Sequence, residues 1–200
     1  MKTSFAPSSP VSGFSLIELL VVIAIIAIMT TLSLPAFNSI SQASGITRGG
    51  QMLGDQIILA RQQAAARNRD VEVRIIDVAD AMYPGYRAMQ LWLVDGTGTN
   101  KSPIGKVLRL PDGVVIASNS ALSPLLIADT NVTGTTNFGS LGNRPYAGFR
   151  IRGNGALPST IVTNNNFLTV QLARDSGTPP NNYYAIRVNP VTGRVTIHRP

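Results

Sequence analysis

Two hundred residues are enough for one ordinary domain, or for a small domain with an appendage. Charged residues are only 14%, too few for a coiled coil or a charge-driven disordered chain, and the lack of cysteine excludes disulfides, thiolate metal sites and a cysteine nucleophile. The net charge of +7 comes mostly from arginines scattered singly, which reads as a solvated surface while leaving a nucleic-acid or membrane-surface partner open.

The chain starts with MKTSFAPSSPVSG, a polar, Pro/Ser-rich stretch with one lysine that ends on Gly13 and is followed at once by FSLIELLVVIAIIAIM. A secretory signal peptide puts its apolar region ahead of a small-residue cleavage site. Here the small residue comes first, so a cut after Gly13 would keep the apolar segment in the mature protein. From Leu16 to Leu34 the run is close to the roughly 20 residues needed to cross a hydrocarbon core. It is apolar on all faces, and its many Ile and Val residues would favour a strand in water. In lipid a single span satisfies its own backbone only as a helix. Lys2 and the amino terminus predict a cytoplasmic leader and an exported bulk.

Beyond Pro35, Leu53, Ile57, Ala60 and Ala64 recur at spacings of four and three, one face of a helix whose wet side carries Gln56, Arg61, Gln63 and Arg67. Gly45, Gly49 and Gly50 predict a bend or loosened turn between the two halves. After Asn68 the pattern becomes β: 71–78, 88–95, 106–110, 113–118, 146–152, 167–174, 183–188 and 194–198 each read as strands bounded by Gly, Pro or Asn. The last two are joined by Asn189-Pro190-Val191-Thr192-Gly193, a hairpin loop. Residues 118–144 read as a long, partly ordered loop.

The informative feature is Gly13-Phe14-Ser15-Leu16-Ile17-Glu18 running into the apolar segment. A carboxylate there costs on the order of 2.5–3.5 kcal/mol at mid-membrane, less near an end, so it calls for a partner such as the new amino terminus of a neighbouring subunit. Gly13, Phe14, Glu18 five residues after the glycine, and Pro35 together resemble the class III signal of type IV prepilins and type II secretion pseudopilins. In that family a membrane peptidase cuts after the glycine and methylates the new N-terminal residue. The resemblance implies cleavage between Gly13 and Phe14, methylation of Phe14, assembly guided by Glu18 and a helix kink at Pro35. Farther on, Phe149-Arg150-Ile151-Arg152-Gly153-Asn154-Gly155 and the closing Gly193, Arg194, Val195 and Ile197 resemble the minor pseudopilin H type. The chain also resembles the protein D type of the Verru/Chthon cassette proteins.

Other constellations point to ordinary structure. The scattered aspartates never take an ion-loop spacing, and the last loop holds no acid, so neither a metal nor a cofactor is expected. His198, the one histidine, has no neighbouring serine or acid to make a triad, and an enzyme is not expected. Trp92 and Tyr183/Tyr184 read as sheet packing rather than a base-stacking platform.

The expectation is an α+β, pilin-like protein: a long N-terminal helix, half transmembrane and half amphipathic, packed on an antiparallel β-sheet head. Residues 1–13 would be a cleaved leader, 14–45 the transmembrane and assembly helix, and 46–200 a periplasmic head. The chain would sit in the inner membrane as a single-pass protein, its N-terminus cytoplasmic. Its partners would be the prepilin peptidase/methyltransferase and other pilins or pseudopilins, with no small-molecule substrate, in a secretion pseudopilus or pilus-like filament. Nucleic acid is the alternative partner: a minor pilin that binds DNA during uptake, through arginines gathered on the head.

Overall fold

The computed structural model describes residues 13–161, 165–175 and 177–199, with the side chains of 32–41 excepted. The leader 1–12 lies outside the described residues. Backbone helix α1 (Leu16–Arg67) opens the chain, and the chain divides at Ile40/Ser41 into two compact units. In the first unit, α1 exposes apolar side chains on every face, from Val22 at 44% to Leu16 at 83%. Its hydroxyls turn back on the helix: Thr30 donates to the Ile26 carbonyl and Thr31 to the Ile28 carbonyl, both at 2.8 Å. Among the described residues no helix is long and apolar enough to cross a membrane; the apolar run is described with side chains only as far as Thr31.

The second unit is α+β. The C-terminal part of α1 buries Ile46, Leu53, Ile57, Ala60 and Ala64 completely, so the four positions expected on one face all lie in the core. Where a bend or loosened turn was expected, at Gly45, Gly49 and Gly50, α1 is helical without interruption. Their role is close approach instead. A Cβ on Gly49 would sit 2.9 Å from Val114, one on Gly50 2.7 Å from the Tyr184 ring, and one on Gly54 2.9 Å from Ile197. Bare glycine backbone lets strands lie directly on the helix, and the packing outweighs the roughly 1 kcal/mol helix penalty per glycine. The helix ends at Asn68 in the left-handed region (φ 48°), with the Arg69 N–H on the Ala64 carbonyl at 3.1 Å, a Schellman-type stop.

Nine strands follow among the described residues: β1 (Val71–Val78), β2 (Gly85–Val94), β3 (Lys101–Arg109), β4 (Val114–Ile116), β5 (Gly134–Asn137), β6 (Asn143–Ile151), β7 (Phe167–Leu172), β8 (Tyr183–Val188) and β9 (Val195–His198). They form one sheet in the order β5-β6-β1-β2-β4-β7-β8-β9, with β3 also paired to β2, and every pairing is antiparallel. Strand alternation sorts β1 between two faces. Val71, Val73 and Ile75 join the helix residues, Met89, Leu91, Phe149 and Ile151 in the main core. Ile76 and Val78 face the other way, against Phe138, Leu141 and Trp92. Each fully buried Ile, Leu or Phe adds about 1.5–3 kcal/mol.

The stretch 118–144 is more ordered than its Thr/Gly/Asn composition indicates. It holds α2 (Pro124–Ile127), β5 and a 3-10 turn at Gly139–Leu141. Leu125, Leu126, Val132, Phe138 and Leu141 are buried, so it lids the sheet instead of leaving it.

Candidate processing and assembly site

The segment Gly13–Glu18 is built by a helix start. Ser15 sits just before α1: its carbonyl accepts the first helical N–H, from Leu19, at 3.1 Å, and its Oγ accepts the Glu18 N–H at 3.2 Å. The spacing Ser15-x-x-Glu18 is that of a capping box, and a carboxylate in the first turn suits the positive end of the helix. Ser15 was missed by the sequence reading, although serine three residues before a glutamate at the head of an apolar run could have found it. Gly13 and Phe14 precede the cap in non-helical chain, with Phe14 76% exposed and nothing within 4 Å of a Cβ built on Gly13. Both residues are thus exposed ahead of the cap. The structure places Gly13 and Phe14 just ahead of the helix cap and Glu18 in the first turn of α1. The side chain of Pro35 lies outside the described residues, although the backbone there is helical.

In the head the residue pattern hides a charged centre. Glu72 on β1 is fully buried. Its Oε2 accepts from Arg74 at 2.7 and 3.0 Å, and its Oε1 meets Lys101 at 2.8 Å and Arg150 at 3.0 Å. Burial pushes its pKa up, but hydrogen bonds and charge from Lys101 and Arg74 overcome that and hold it below the ordinary carboxylate value. Arg74 is in turn clamped between rings, 4.1 Å from the Trp92 centroid and 4.4 Å from that of Tyr146. Phe138 meets both rings edge-on. Among the described residues no group of three acids or histidines converges where a metal could sit.

The two segments that resemble the H type come into contact. Gly193 (φ +63°) closes the β8–β9 loop so tightly on the Gly155 carbonyl that a Cβ has no room, and the Leu157 N–H donates to the Pro190 carbonyl at 2.8 Å. Asn189 Oδ1 accepts the N–H groups of Val191 and Thr192 at 3.0 and 2.9 Å, which fixes the loop. Gly153 N–H reaches Asp70 at 3.2 Å, tying the same turn to the end of the helix. Motifs far apart in sequence thus become one corner of the head, without assembling a reactive group.

Comparison with known proteins gives one family-level match. Neither the curated proteins nor the solved structures contain a match to this chain. Residues 9–34 match the family described as the prokaryotic N-terminal methylation motif, a span that encloses Gly13, Phe14, Ser15 and Glu18. With that segment leading into an α+β head of antiparallel sheet, the chain carries the class III signal of the type IV prepilin and pseudopilin type on a pilin-like fold.

Proposed function

We propose that this chain is a structural subunit, not an enzyme: a minor pseudopilin anchored in the inner membrane by the first half of α1. Its head is exported, and it is assembled into a secretion pseudopilus or a pilus-like filament. Prepilin peptidase cuts between Gly13 and Phe14 and methylates Phe14. The observation that carries this reading is the methylation-motif match lying over an exposed Gly13–Phe14 bond directly ahead of a capped apolar helix. The all-round apolar surface and the self-satisfied hydroxyls of Thr30 and Thr31 support burial of that half in lipid or among like helices. Glu18 then pairs with the N-terminus of an adjacent subunit, because the alternative is an unpaired charge in low dielectric. The DNA-uptake reading is not favoured: Arg74, Arg87 and Arg150 direct their charge to Glu72, Asp80, Asp112 and Asp70 within the head.

The test is expression in cells with an active prepilin peptidase, followed by intact mass of the membrane fraction. Loss of residues 1–13 with one added methyl on Phe14 is expected. Glu18→Ala should be processed equally well yet cross-link poorly into filaments. An uncut chain, or wild-type cross-linking of the variant, would sink the reading.

A further inference from the structure

The head carries a groove of about 510 Å3 that neither processing nor assembly uses. It lies over β7, β8 and β9 on the face away from α1, because Leu168, Val170, Tyr184 and Ile186 of these strands point into the helix-facing core. Register builds its floor: Thr169, Ala185 and His198 stand side by side across the three strands, and Phe167 is paired with Arg187. Its rims are preformed. On one side the Leu122 carbonyl accepts the Thr169 hydroxyl, and the Ser123 Oγ accepts the Thr169 N–H at 3.0 Å. On the other, the Thr178–Pro179 segment is bracketed by the Asp175 carboxylate, which accepts the N–H groups of Gly177 and Asn181 at 3.3 and 3.1 Å. Arg199, bonded to Thr47 at 3.1 Å and stacked on Tyr184, holds the end of β9 that carries His198.

The chemistry of this groove is one-sided. Its walls are mostly apolar, none of its lining residues is acidic, and the exposed Arg187 side chain makes no ion pair or hydrogen bond among the described residues. Next along the same face the Gln171 Oε1, buried, also has no donor. A guanidinium fork beside an aromatic wall matches a single carboxylate on an apolar body. A phosphate would call for more converging donors, and Arg187, the charged side chain among the lining residues, would repel a cation.

The geometry points to a binding site for a small organic acid, an aromatic or branched carboxylate of about a dozen non-hydrogen atoms. Its body lies on Phe167, Ala185 and Pro179. Its carboxylate is held by Arg187, with the His198 imidazole as second donor.

The probe is 4-phenylbutyrate, with 4-phenylbutylamine as the same body bearing the opposite charge. Saturation-transfer NMR on the full chain in lipid nanodiscs, blanked against empty nanodiscs, reads binding to both. The acid should bind with a Kd of about 1 mM, as expected for so few atoms, and the amine should not bind. Arg187→Gln, on the exposed surface, should weaken the acid roughly tenfold, Arg187→Lys less, and Ala185→Leu should fill the floor and abolish binding. Equal binding of acid and amine, or of wild type and Arg187→Gln, overturns the assignment. So does an acetyl-Gly-Phe peptide with a free carboxylate that binds more than about tenfold tighter than phenylbutyrate, since the site would then belong to a peptide terminus.

Discussion

Glu72 on β1 is compensated by Arg74, which is buried with it, and by Lys101 and Arg150, which keep part of their own solvation. Removing the carboxylate would leave three like charges facing one another on a packed sheet, a larger loss than breaking any single pair. Glu72→Gln should therefore destabilise the chain by about 3 kcal/mol, the lower end for a buried charged set, because Lys101 and Arg150 are partly exposed and can turn to water. Denaturant midpoints followed by Trp92 fluorescence measure it. The pH dependence has a fixed sign. The folded carboxyl titrates below its unfolded value, so its contribution is full above about pH 4.3 and is lost as pH falls through the depressed folded value. The variant should lack that acid-side loss, and an unchanged acid profile would show that the cluster does not couple to folding.

At the scale of the helix, the glycine stripe predicts a graded series. Glycine to alanine in a helix normally adds about 1 kcal/mol of stability. Gly45→Ala meets Val114 at an ordinary 3.4 Å and should show that gain. Gly54→Ala meets only the flexible tip of Ile197 and should come out near neutral. Gly50→Ala drives into the inner atoms of the Tyr184 ring and should lose about 1–3 kcal/mol, measured by thermal unfolding. Three equal gains would mean that the stripe packs against nothing. These glycines also mark the limit of reading elements from sequence. Spacing alone placed Leu53, Ile57, Ala60 and Ala64 in the core, and alternation placed β1, β7 and β8 nearly to the residue. A glycine in a helical run, however, looks the same whether it loosens a turn or admits a tyrosine, and only the strand across from it distinguishes the two. The start of β3 at Lys101 was hidden because Lys-Ser-Pro is an exposed, polar edge. β5 was hidden because only Phe138 and Leu141, just after it, carry the apolar signal. Glu72 and Arg74, at alternate positions of a strand, look like a wet face. The N-terminal motif was legible apart from the Ser15 cap, because it is local: a small residue, an aromatic and an acid within six residues.

Taken whole, the molecule carries +7, but its arginines are dispersed and several are already paired. Duplex DNA should therefore bind only with a Kd of about 10⁻⁴ M or weaker at physiological salt, with affinity falling further as salt rises. Fluorescence anisotropy across a salt series reads this, and submicromolar binding that survives physiological salt would restore the DNA-uptake reading. The corner where the chain ends has a further consequence. Arg199 bonds Thr47 across 152 residues, and Ile197 fills the notch at Gly54. The other glycines of the stripe are covered by earlier strands, Gly49 by Val114 and Gly50 by Tyr184, so β9 closes only the Gly54 end. Contacts of such separation form late. β9 is thus a latch on one end of the contact: without it Gly54 and Thr47 would lie open, while Val114 and Tyr184 would still close on Gly49 and Gly50.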